Sequence, residues 1–142
     1  MLDVDDIFSR KCRAFSVGDT QTVADSLADC SHVMVGATPL HFQEPGSAKA
    51  VLDNYREGLV ARGYAHSFHT LKEITHKGTD QALVTLQYTH LDWQGREIDT
   101  LEASYILAKD HAQEWKCFFV EFPAEPVAFS GLPGQSNVIP FS

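Results

Sequence analysis

Four side chains within one stretch carry the chemistry this sequence offers: Tyr88, His90, Asp99 and Tyr105. A carboxylate beside an imidazole raises the imidazole pKa by its charge and fixes the tautomer, which is what a positioned general base or acid needs. Two phenols close by can donate hydrogen bonds to an oxygen that gains charge, as an oxyanion site requires. The plainer reading is that His90 and Asp99 form an ordinary cross-strand pair near a turn, where water reaches, and that the tyrosines are core aromatics whose hydroxyls find partners.

The element that must bring the four together is a hairpin from Gln81 to Leu107. With Gln94-Gly95 at the turn, Trp93 pairs with Arg96, and the ladder sets Val84 beside Tyr105, Leu86 beside Ala103, Tyr88 beside Leu101 and His90 beside Asp99. That face is apolar with a polar end. The opposite face carries Thr85/Ser104, Gln87/Glu102 and Thr89/Thr100, with apolar pairs only at its extremities, Leu83/Ile106 and Leu91/Ile98. A slip of one residue would pair Leu86 with Glu102 and mix the two patterns, so the alternation selects the register. The expected pocket-facing set is Val84, Leu86, Leu101 and Ala103 around the tyrosines, joined by Phe118 and Val120 from the last strand.

The rest of the chain supplies a cover for that face. Asp3 caps a helix with Val4, Ile7, Phe8, Cys12 and Phe15 on its apolar side, and Gly18 stops it. Asp19 caps a second, shorter helix with Val23, Ala24, Leu27 and Ala28 inward. Runs at 32–37 and 40–43 read as a small strand pair or a strand and a loop, and His41 there could reach a pocket mouth, though a surface histidine is the simpler reading. A third helix starts from a Ser47 cap, carries Val51, Leu52, Tyr55 and Leu59, and ends at Gly63. Strands follow at 64–75, in the hairpin, and at 114–122, where apolar residues on both sides predict a central or doubly covered strand. From Pro123 the pattern dissolves into a tail or arm, so one domain spans 1–122.

Composition narrows the partners. A chain of 142 residues, 44% hydrophobic, is large enough to bury a core as one domain. The formal charge of -8, with no basic cluster, argues against nucleic acid and anionic membrane surfaces. Cys12, Cys30 and Cys117 are odd in number and widely spaced, so free thiols in a cytoplasmic protein are expected. No run approaches the length of a membrane span, and the acidic start is unlike a signal peptide. His66 and His69 point to opposite faces of a strand, which argues against a shared metal; no phosphate loop, nucleophile elbow or HExxH is present, and neither cofactor nor metal is expected.

The order of several short fragments carries a resemblance: Gly18-Asp19 between two helices, a helix ending in Arg62-Gly63, Gly78-Thr79-Asp80-Gln81-Ala82-Leu83-Val84, the turn Trp93-Gln94-Gly95-Arg96, Ser104-Tyr105-Ile106-Leu107 and Glu114-Trp115-Lys116. Over roughly Val4 to Phe122 the chain resembles the nuclear transport factor 2-like (NTF2-like) superfamily, close to its SnoaL-like members. The resemblance implies an α+β fold, a cone-shaped barrel with three N-terminal helices packed on a strongly curved antiparallel sheet over an internal pocket, frequently a homodimer. It implies no single function, because the superfamily holds isomerases, dehydratases, cyclases, hydrolases and binding modules. The ketosteroid isomerase branch uses a tyrosine in its first helix and an aspartate soon after its second; neither has a counterpart here. The expected function is a pocket for a small, mostly apolar molecule, with cofactor-independent proton transfer in which His90, Asp99, Tyr88 and Tyr105 act. The alternatives are a non-catalytic binding protein and a dimeric interaction module.

Overall fold

The computed structural model describes residues 3–28, 32–40, 42 and 46–124. Three helices, α1 (Val4–Ser16), α2 (Thr20–Ala28) and α3 (Ser47–Val60), pack on one side of a curved sheet of six strands. The strands are β1 (His32–Val35), β2 (Thr38–Leu40), β3 (Tyr64–Lys77), β4 (Gln81–Asp92), β5 (Glu97–Lys109) and β6 (Trp115–Phe122), in the spatial order β2-β1-β6-β5-β4-β3. All neighbours are antiparallel except β1 and β6. The fold is α+β, and β6 is an interior strand, as its two apolar sides require. Cys30, His41 and the tail from 125 lie outside the described residues, as do the side chains of Leu27 and Ala28.

Local chemistry explains the helix ends. Asp3 Oδ1 accepts from the Asp6 amide at 3.0 Å, and Asp19 accepts from both the amide and hydroxyl of Thr22, so each carboxylate satisfies a donor of an open first turn. Gly18, at φ +87°, makes the turn between α1 and α2. Arg56 on α3 donates to the carbonyls of Phe15 and Ser16, both at 2.8 Å, and thereby caps the C-terminus of α1 and ties α3 to it. The expected Ser47 cap is displaced by one position: Gly46 occupies the N-cap and Ser47 is the first helical residue.

The hairpin register is the expected one from Leu83/Ile106 through His90/Asp99. It breaks nearer the turn. Leu91 pairs with Glu97, and Asp92, whose amide donates to the Arg96 carbonyl at 2.8 Å, closes a loop that Gly95 completes at φ +80°. The extra residue is Ile98, which packs against the cluster of Phe15, Tyr55, Leu59 and Tyr64 instead of facing outward. A second irregularity, between Ile106 and Leu107, changes the phase of β6. Phe118, expected over the pocket, is 51% exposed, while Cys117 and Val120 are buried. The inward residues Val84, Leu86, Ala103, Tyr105 and Val120 meet Val4 and Phe8 of α1 in the main core.

The free-thiol expectation holds for Cys12, which is buried, and fails for Cys117, which is disulfide-bonded. That removes the cysteine argument for a cytoplasmic location. No helix among the described residues is long and apolar enough to cross a membrane.

Candidate functional site

Between the helices and the inner face of the sheet lies a cavity of about 120 Å³. Lys11, Cys12 and Phe15 of α1 line it, with Val51, Leu52 and Tyr55 of α3, Val33 and Val35 of β1, and Phe122 of β6. The hairpin contributes Tyr88, His90, Leu101 and Tyr105, so all but Asp99 of the four expected chemical residues reach the wall. Val84, Leu86, Ala103 and Val120 point to the same side but fill the solid core with Phe8 and do not line the cavity. Phe118 does not line it either.

Two polar groupings stand in this apolar enclosure. The first is centred on His90, which is buried, with the rings of Phe15, Tyr55 and Tyr64 between 5.6 and 5.8 Å from its own. Its Nδ1 lies 2.6 Å from Ser67 Oγ, and Ser67 Oγ is also hydrogen-bonded to the Tyr64 hydroxyl. The Ser67 amide donates to Ser16 Oγ at 2.9 Å, and Ser16 Oγ donates to the Cys12 carbonyl at 2.7 Å. Tyr64 lies a long 3.4 Å from Ser16 Oγ, so its proton goes to Ser67. Ser67 then donates to Nδ1 and leaves the imidazole proton on Nε2, a tautomer assigned from this network.

Burial pushes the His90 pKa down to about 4, so the ring is neutral at pH 7. The charge of Asp99 was expected to raise it; desolvation wins. Asp99 is the ladder partner of His90 and is buried, and its Oδ2 accepts from the Tyr55 hydroxyl at 3.4 Å. Burial first, and the Asp99 charge second, push the Tyr55 phenol far above its ordinary value.

The second grouping is Tyr88, Tyr105 and Lys11. The two tyrosine hydroxyls lie 2.5 Å apart, and burial raises both phenols well above the ordinary range. Lys11 Nζ sits 4.7 Å from the centre of the Phe8 ring and 5.2 Å from that of Tyr105. Among the described residues Lys11 makes no ion pair and no hydrogen bond. Burial lowers its pKa to about 8. Burial likewise pushes the neighbouring Cys12 thiol up to about 11, which makes it a poor nucleophile at neutral pH.

Sequence reasoning named Tyr88, His90, Asp99 and Tyr105 but missed Lys11 and Ser67. A signal for Lys11 existed: Phe8, Lys11, Cys12 and Phe15 have the i, i+3, i+4, i+7 spacing of one helix face, which places a lysine inside the buried stripe. Ser67 had no such signal. An irregularity of β3 between Tyr64 and His66 puts residues three apart on the same inner side, where a regular strand would separate them. His69, also inward, meets Asp5 of α1 at 2.9 Å, while His66 is exposed.

The fold recurs in solved structures. A domain of unknown function with a cystatin-like fold from Nostoc punctiforme superposes with a TM-score of 0.67 at 12% identity, covering 88% of this chain and 80% of its own. An NTF-2-like protein of unknown function from Shewanella oneidensis gives 0.59 at 13% identity, over 83% of this chain and 95% of its own. A candidate ketosteroid isomerase from Shewanella frigidimarina gives 0.52 at 22% identity, over 78% and 86%. No curated protein matches the chain. These likenesses establish architecture; membership comes from the sequence, since residues 3–123 match the family of NTF2-like proteins designated DUF6841, and the chain belongs to that family.

Proposed function

We propose that the protein holds a small, mostly apolar molecule bearing a hydrogen-bond-accepting oxygen in the cavity between helices and sheet. One observation carries this reading. Two tyrosine hydroxyls on the wall have two protons and only the bond between them to spend, so one buried O–H has no acceptor among the described residues. A ligand oxygen would supply it. The remaining wall is largely aliphatic and aromatic, as ligand sites are, and its volume is near the roughly 150 Å³ of a cavity that accepts benzene.

Binding without chemistry is the reading the wall favours. His90, at about 4, is too weakly basic to be a base matched to neutral pH. A second reading, cofactor-independent proton transfer of the isomerase or dehydratase type, is favoured by the Tyr88–Tyr105 pair, which suits an oxygen gaining charge. The candidate ketosteroid isomerase among the structural relatives is in keeping with it. In that reading Lys11, the wall group titrating nearest neutrality, takes the role expected of His90. Mass spectrometry of protein purified under native conditions tests the proposal: a co-purified small molecule is expected, and Leu101→Trp, which fills the cavity, should lose it. Equal retention by that variant would place the molecule elsewhere and end the proposal.

We further propose a homodimer through the outer face of the sheet. Leu83, Ile106 and Phe119 lie side by side across β4, β5 and β6, and Leu83 is 40% exposed. Light scattering at micromolar concentration should give twice the chain mass, and Ile106→Lys should halve it. A wild-type monomer would refute the pairing.

A further inference from the structure

The cavity wall carries one cation and, among the described residues, no carboxylate. Lys11 stands within the apolar stripe of α1, with its ammonium against the rings of Phe8 and Tyr105. Ring faces offset part of the cost of desolvating an ammonium, but they leave its N–H donors without acceptors. The thiol of the adjacent residue, Cys12, stays neutral because burial pushes its pKa up to about 11. Donors are therefore in excess on this wall: the ammonium of Lys11 and the unspent hydroxyl proton of the Tyr88–Tyr105 pair.

Resting on the reading of the cavity as a ligand site, we infer that the molecule it takes is a small monocarboxylate, with its carboxylate on the Lys11 ammonium and its apolar body against the aliphatic and aromatic wall. A carboxylate has about four lone-pair sites and no donor, which complements a wall of donors. It also brings the counter-charge that a partly desolvated ammonium lacks. An uncharged oxygen would satisfy the tyrosine proton but leave Lys11 uncompensated. The cavity's size limits the apolar part to about one six-membered ring or a chain of similar bulk. With its pKa near 8, the amine remains mostly protonated at pH 7, ready for an anion.

Phenylacetate and its uncharged isostere phenylacetamide are suitable probes, measured by calorimetry or by protein-observed NMR at pH 7. The acid should bind wild type at least tenfold more tightly than the amide. In Lys11→Met, which keeps the stem and drops the charge, that preference should fall by tenfold or more. The empty variant should also unfold at a higher temperature than wild type, because an ammonium with no counter-charge has left a half-buried place on an apolar wall; a lysine that merely packs would give the reverse. Lys11→Gln provides a second variant should the methionine fold poorly. Equal binding of acid and amide to wild type, or an unchanged preference in Lys11→Met, overturns the carboxylate assignment while leaving the cavity reading intact. Binding of neither probe overturns both.

Discussion

The two polar groupings on the cavity wall both rest on tyrosine hydroxyls and are wired in different ways. Around His90 the hydrogen bonds run as a chain into the framework: Tyr64 gives to Ser67, Ser67 gives to His90, and the Ser67 amide and Ser16 complete the connection to α1, which leaves only the Nε2–H of His90 without an acceptor among the described residues. Around Tyr105, donors outnumber acceptors, since the tyrosine pair shares one bond and Lys11 has only ring faces. A buried chain of hydrogen bonds rigidifies a fold, while donors left in excess are a cost that persists where something outside the chain supplies the missing partner. The histidine singled out as a catalyst is thus tied into the framework through Ser67, while the proposed ligand contact falls to Lys11, which sequence reasoning missed.

The largest test of that contrast is acid. His90 is held near pKa 4 in the folded chain against 6.5 unfolded, so between those values the unfolded state binds more protons and stability rises with pH. Stability is intact above about pH 6.5 and is lost as pH falls toward 4, by about 3 kcal/mol for this group. Urea unfolding across that window should show the slope, and His90→Asn, which keeps an acceptor near the Nδ1 position but does not titrate, should flatten it. An unchanged slope in the variant would mean that His90 is solvated and the framework reading wrong.

Much of this arrangement was readable beforehand, and the unreadable part has a physical cause. Period-two alternation fixed the register from Leu83/Ile106 to His90/Asp99, because a slip would have exposed a whole apolar face. Three of the four register irregularities decide the site and left no trace in the alternation: one at Ile98, one that turns Phe118 outward, and one that brings Tyr64 and Ser67 to the same side. Each adds one residue to a strand without a marker residue, yet each decides which side chains meet. The sign of the His90 shift was equally hidden. Its ladder partner is visible in sequence, whereas the aromatic enclosure of Phe15, Tyr55 and Tyr64 comes from three separate elements.

Next in size is the removal of a member from the His90 network. Ser67→Ala deletes the hydroxyl that joins Tyr64 to His90, leaving a buried phenol and a buried ring nitrogen without their shared partner. Each buried group left unpaired costs about 1–3 kcal/mol, and relaxation toward water recovers part of that, so a loss of about 2 kcal/mol is expected. Chemical denaturation measures it directly. Affinity for a cavity ligand, corrected for the folded fraction, should change less than threefold; a tenfold loss would show that the His90 network contacts the ligand and would erase the contrast.

The smallest effect on stability should come from the tyrosine pair, provided both hydroxyls are removed together. Tyr88→Phe or Tyr105→Phe alone strands the remaining hydroxyl in a buried site, whereas the double variant removes donor and acceptor at once and keeps both rings against Phe8, whose centre lies 4.8 Å from that of Tyr105. Replacing both partners of a buried hydrogen bond by apolar groups of the same shape is close to neutral, so the double variant should differ from wild type by less than about 1 kcal/mol. Its ligand affinity should nevertheless fall by about tenfold, the scale of one hydrogen bond to a charged acceptor. The single variants should each be less stable than the double one, which is the non-additivity expected of two groups that satisfy each other. If the double variant binds phenylacetate as wild type does, the unspent hydroxyl proton plays no part in recognition, and the mismatch on this wall reduces to Lys11 alone.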